Sequence, residues 1–119
     1  MTLDGSWIER VIREFTASPA NILKKEPHEP AWDQPIVGYS SGADLLYDFF
    51  KKDIGSFYVT PIEFMRQTYP NLDLKSQELT VISWVLPQTR ATKADHRKET
   101  RWPCERWARA RIFGEEVND

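Results

Sequence analysis

Cysteine occurs once, at Cys104, in a chain of 119 residues. A single thiol excludes an internal disulfide framework, and it excludes an iron–sulfur cluster held by several thiolates of this chain alone. Histidine is nearly as scarce. His28 and His96 lie far apart, His96 stands eight residues before Cys104, and neither spacing matches a metal-ligand motif. Glycine is low, at five, and none falls in a G-x-G-x-x-G or Walker pattern; Ser41-Gly42 stands alone, so no phosphate-cradling loop is readable. Long apolar runs are missing too. No segment approaches the roughly 20 residues of a membrane-spanning helix, and the start, Thr2-Leu3-Asp4-Gly5-Ser6 with Glu9 soon after, is too polar for a signal-peptide core. Repeats and low-complexity tracts are also absent. The expectation is a soluble cytoplasmic protein, not membrane-bound, with no metal site of its own.

What the chain does have is aromatic bulk: 13% of its residues are aromatic, five of them tryptophan. Side chains of that size offset ordering entropy and weigh against disorder. The length allows one domain or less, burying about two-thirds of the surface of the unfolded chain.

Several elements can be read from pattern. Ser6-Trp7-Ile8-Glu9 has the form of a capping box, and Ile8, Val11, Ile12 and Phe15 follow at helical spacing, predicting a helix from about Trp7 to Ala17 that ends at Ser18-Pro19. Residues 18–40 are punctuated by Pro19, Pro27, Pro30 and Pro35, each lacking an N–H and disfavouring helix before it. Ile22, Leu23, Trp32, Ile36 and Val37 are too apolar for a free linker. An ordered extended segment pinned by Trp32 is expected, with a short strand at Ile36-Val37-Gly38-Tyr39. After a turn at Ser40-Ser41-Gly42, a helix is expected from Ala43 to about Lys52, with Leu45, Leu46, Phe49 and Phe50 inward and Asp48–Lys52 as an i,i+4 pair; Gly55 ends it. Thr60-Pro61-Ile62-Glu63 is a second capping box, opening a short helix that stops before Pro70. Leu79–Leu86 is the best strand. It is apolar at most positions, which predicts cover on both faces. Residues 88–101 show no period and are expected to form a basic loop, with helical turns as the alternative, and Trp102-Pro103 then leads into a last helix. The class expected is α/β (α+β), a small sheet with its central strand near 79–86 flanked by three to four helices. Residues 1–119 form either a single domain or the amino-terminal fragment of a larger α/β domain. The pattern stops at Asn118-Asp119 with no Gly or Pro stop signal, and reads as the first part of something longer.

Charge is distributed unevenly. Residues 1–87 carry 8 basic and 12 acidic side chains, residues 88–111 carry 8 basic and 3 acidic, and residues 112–119 add 3 acids. The middle block is either an anion-facing patch or a solvated loop and helix face, the second being favoured. Arg106 and Arg109 share a helix face, while Trp102 and Trp107 offer planar surfaces for a base or a planar cofactor. Arg101, Arg106, Arg109 and Trp107 are therefore the candidate contacts to an anion or nucleic acid. The competing reading, which is favoured, has the tryptophans in the core and the arginine stems laid along it. Nearby arginines can lower the pKa of Cys104 and make it a nucleophile, but a buried, inert thiol is the stronger expectation. Asp44 and Asp48 read as solvated carboxylates on one helix face. Glu115 and Glu116 can supply a general acid, though at a helix end a solvated carboxylate is favoured.

Three segments carry a resemblance: Glu29-Pro30-Ala31-Trp32-Asp33-Gln34-Pro35-Ile36-Val37-Gly38-Tyr39-Ser40-Ser41-Gly42-Ala43-Asp44, Leu79-Thr80-Val81-Ile82-Ser83-Trp84-Val85-Leu86-Pro87-Gln88-Thr89, and Glu105-Arg106-Trp107-Ala108-Arg109-Ala110-Arg111. Together they resemble the amino-terminal region of epoxyqueuosine reductase-like iron–sulfur proteins. The resemblance implies an α/β catalytic region followed by a ferredoxin-like module, with cobalamin and two 4Fe–4S clusters reducing epoxyqueuosine in tRNA. It implies an oxidoreductase whose cluster cysteines, in a C-x2-C-x2-C-x3-C-P pattern, lie outside these residues along with most of the corrinoid site. The segment is therefore expected to bind no cofactor and to be catalytically incomplete alone, with tRNA and the downstream module as partners. An acidic residue of the family stands in an Asp-Tyr-His context; Glu116-Val117-Asn118 lies roughly there, which makes Glu116 the candidate proton donor. The alternative from the residues themselves is a non-enzymatic module whose basic aromatic helix docks RNA or a protein.

Overall fold

The computed structural model describes residues 5–24 and 28–119. Along them run α1 (Gly5–Thr16), β1 (Ile36–Ser41), α2 (Leu45–Ile54), α3 (Pro61–Thr68), a 3-10 turn (Ser76–Glu78), β2 (Thr80–Val85), α4 (Arg90–Lys98) and α5 (Glu105–Asn118). The fold is mixed α+β: among the described residues, five α-helices and a two-stranded antiparallel sheet, β1 beside β2. Two compact units divide the chain, one from Met1–Val37 and Trp84–Asp119, the other Gly38–Ser83. Pro27 and the polar residues 1–4 fall outside the described residues. No helix among the described residues is long and apolar enough to cross a membrane.

The first unit is organised by Asn21 and Trp32. α1 begins at Gly5, so Ser6 lies inside the helix and not at its cap. Glu9 receives the Arg13 guanidinium at 2.9 Å one turn on, and Arg13 also donates to the Pro35 carbonyl at 3.1 Å. Past the helix, Asn21 is buried, at 2% exposure. Its Oδ1 accepts from the backbone N–H of Ala31 and of Trp32, both at 3.0 Å, while Nδ2 donates to the carbonyls of Thr16 at 2.9 Å and Trp32 at 2.8 Å. The extended segment is thereby fixed to the end of α1. Trp32 continues the linkage. It bridges to Gln88, the Asp33 N–H donates to the Pro87 carbonyl at 2.9 Å, and the indole Nε1 donates to the Gly114 carbonyl at 3.0 Å. Leu23, Ala31, Ala110 and Val117 form the core against which the Trp32 ring packs.

In the second unit the caps read from sequence hold. Thr60 Oγ1 accepts from the Glu63 N–H at 3.4 Å and donates to its carboxylate at 2.9 Å, with Pro61 opening α3. Lys51 places Nζ 2.7 and 2.8 Å from the two Glu63 oxygens. The Lys51 hydrogen bond, then that of Thr60, holds the Glu63 carboxyl below its ordinary range. Asp44, expected as a solvated carboxylate, caps α2 by accepting from the Leu46 N–H at 2.9 Å. Gly42 donates to the Leu79 carbonyl at 2.7 Å, an approach close enough that a Cβ there would stand 2.6 Å from Leu79 Cβ.

Other expectations need correction. β2 is not central: its sheet has two strands, and Trp84 and Val85 are exposed. The apolar run arises because β-branched and aromatic residues favour a pleated backbone wherever they lie, so composition identifies the strand and not its cover. Leu45, Leu46 and Phe49 do not face inward; Leu45 is 80% exposed. Among the described residues of this unit no large apolar side chain is fully buried. Asp48 forms no ion pair with Lys52; the cation that finds a carboxylate is Lys51. Within residues 88–101, expected as a basic loop with helical turns as the alternative, Arg90–Lys98 form a regular helix, α4. Its signal was polar: Thr89 Oγ1 caps it by accepting from the Thr92 N–H at 3.1 Å, and His96, Arg97 and Lys98 suit the negative end of the helix dipole.

Gly114 is tightly packed, since a Cβ there would lie 2.6 Å from Trp32 Cζ2. The indole cannot swing away without giving up its hydrogen bond to the same residue. Gly114→Ala is expected to lower stability by about 1–3 kcal/mol, the usual range for overpacking, measured by urea denaturation; an unchanged midpoint would show that the indole is not held there.

Candidate anion-binding site

α4 packs against α5 within the first unit. Cys104 is the residue that turns the chain between them. Its Sγ caps α5 by accepting from the Trp107 N–H at 3.4 Å and donates to the Thr92 carbonyl at 3.9 Å. The thiol is buried and occupied, an arrangement of a structural cysteine and not of a nucleophile.

The expected contact residues separate here. Arg106 donates through Nε and Nη2 to the Glu29 carboxylate, at 3.0 and 2.7 Å, and through Nη1 to Asp95. Its hydrogen bonds to Glu29 first and Asp95 second raise its pKa further, so this bidentate fork stays charged and internally matched. Arg109 reaches Glu105 at 2.9 Å and the Lys24 carbonyl at 2.7 Å, with its guanidinium over the Phe113 ring. Lys24, at φ +55°, lies over the same ring and pairs with Glu116 at 3.0 Å. Glu116 is thus an exposed member of an ion pair, and nothing at it is arranged as an acid poised over a cavity. Arg101 stacks on Trp102, which is 69% exposed. Trp107 is half-buried and lies nearly parallel to the His96 ring, 5.8 Å between centroids at 20°. Arg106 and Arg109 are therefore turned to partners within the unit, and Arg101 with Trp102 is the exposed pair.

The cations that sequence reasoning passed over are on α4. Arg90, Lys93 and Arg97 are spaced at i, i+3 and i+7, so they share a face; all three are exposed and none meets a carboxylate among the described residues. The one acid within α4, Asp95, is held by Arg106 and lies 4.0 Å from Lys98. The helical spacing of these bases was legible, but only once the segment is known to be helix. Lys93 and Arg97, with Gln88, Thr92, His96 and Trp107, line a cleft of about 270 Å³. Gln88 Oε1 is itself buried, without a hydrogen-bond partner, a deficit of about 1–3 kcal/mol. The arrangement is suited to holding an anion; it contains no nucleophile beside a base.

A four-iron cluster does not fit the residues present. The one thiol is buried in a helix cap, and no group of three or more His, Cys, Asp or Glu side chains is arranged for a metal among the described residues. No cluster or corrinoid step follows from them. Set against known proteins, the chain matches no family model, no curated protein and no solved structure.

Arg106→Gln leaves Glu29 and Asp95 without their shared cation. The site is partly exposed, so the loss should fall between surface and buried ion pairs, about 1–3 kcal/mol. Arg101→Gln should change stability by less than about 0.5 kcal/mol. Urea denaturation of both variants checks the contrast; equal effects would mean that Arg106 is no more structural than Arg101.

Proposed function

We propose that this chain is the amino-terminal, non-catalytic scaffold of a cytoplasmic iron–sulfur and corrinoid reductase similar to epoxyqueuosine reductase, working in tRNA queuosine synthesis. The observation that supports this reading is that parts of all three segments carrying the resemblance meet in the first unit. Glu29 holds Arg106, Trp32 bridges to Gln88, and the Asp33 N–H bonds the Pro87 carbonyl. The recognisable residues are those on which the packing of that unit relies, as a shared scaffold requires. Redox chemistry belongs to clusters and corrinoid held by other sequence. The uncovered apolar residues of the second unit, Leu45, Phe57 and Phe64 among them, suit a surface completed by a further layer.

A second reading, a non-enzymatic module that docks RNA, is favoured by one observation, the α4 cations that meet no carboxylate among the described residues. The two are separable. Deletion of this coding sequence in the source cells, followed by nucleoside analysis of bulk tRNA, is expected to leave epoxyqueuosine where queuosine normally stands. Unchanged queuosine would overturn the reductase reading, and RNA binding that weakens steeply with salt would then support the second.

A further inference from the structure

We propose that the cleft between α4 and α5 binds a nucleoside monophosphate, its phosphate at Lys93 and Arg97 and its base along the Trp107–His96 wall. This goes beyond the reductase reading and does not depend on it.

Three features of the cleft converge. Lys93 and Arg97 stand one helical turn apart, where like charges repel, yet neither has a carboxylate neighbour among the described residues. A phosphate monoester, with about two negative charges near neutral pH, answers both. A phosphodiester carries half that charge and matches the pair less well. The wall offers an aromatic face already stacked, Trp107 on His96 at 20°, and a purine laid along it extends the stack by contacts that every base can make. Finally, the volume of about 270 Å³ lies just below the usual range of ligand cavities, roughly 300–1,000 Å³. That leaves room for no more than one nucleotide.

The roles of neighbouring groups sharpen the assignment. Asp95, the one acid of α4, lies off this face, two residues from Lys93 and from Arg97, and pairs with Arg106. Thr92, also on the cleft, is buried with its hydroxyl accepting from Thr89 at 3.0 Å, so it forms wall and not contact. Arg90 continues the basic face one turn earlier and adds long-range attraction.

The test is titration of the full chain, isotopically labelled, with AMP and GMP, and separately with adenosine, inorganic phosphate and a phosphodiester-linked dinucleotide. Amide and indole N–H shifts are the readout. The expected result is saturable movement of the Thr92–Arg97 amides and the Trp107 indole with the monophosphates. The Lys93→Gln, Arg97→Gln double variant should bind at least about tenfold more weakly, the effect of losing charge-assisted hydrogen bonds. Arg66→Gln, in the other unit, should bind as the parent does. The inference is overturned by no shift with AMP or GMP, by adenosine or phosphate alone binding as well as the monophosphates, or by tighter binding of the dinucleotide. Retained amide dispersion in the double variant distinguishes lost binding from lost fold.

Discussion

The Asn21 carboxamide uses both of its donors and both acceptor positions inside the protein, which is the full capacity of that group. Its four partners are the carbonyls of Thr16 and Trp32 and the N–H groups of Ala31 and Trp32. A buried polar group so satisfied is also directional. It determines where the Pro-rich segment leaves α1 and, with that, where Trp32 stands. The bridge to Gln88, the indole bond to Gly114 and the packing on Ala110 and Val117 all follow from the position of that one tryptophan.

That geometry decides which charges remain available. Once Glu29 is brought beside α5, Arg106 has a bidentate partner, and Asp95 closes the other side. Asp95, the one acid of α4, stands two residues from Lys93 and from Arg97 and so lies on another face of the helix. On their own face Arg90, Lys93 and Arg97 meet no carboxylate among the described residues. The basic block of residues 88–111 thus divides between fold and surface.

Local features were legible in the sequence for physical reasons. The Thr60 cap, Pro61 at the first helical position and the Gly55 stop each act through neighbouring residues, so pattern identifies them. Trp32 as a pin was legible because an aromatic among prolines has little else to do. What pattern could not show depends on distant partners. Asn21, one polar residue between Ala20 and Ile22, carries no local sign of its contacts to residues 31 and 32. Arg106 and Lys93 look alike in sequence, and only the positions of Glu29 and Asp95 tell them apart. The apolar run of β2 and the apolar side of α2 were read as buried, because composition reports a tendency to be covered and not whether anything covers them.

The measurement that tests this account most directly is equilibrium urea unfolding of Asn21→Leu, followed by tryptophan fluorescence. Leucine keeps the volume and leaves four backbone groups without their partner. With each unsatisfied group costing about 1–3 kcal/mol, the account predicts a loss of more than about 3 kcal/mol or no cooperative transition at all. A loss below about 1 kcal/mol would contradict it, since Trp32 would then be placed by something other than Asn21.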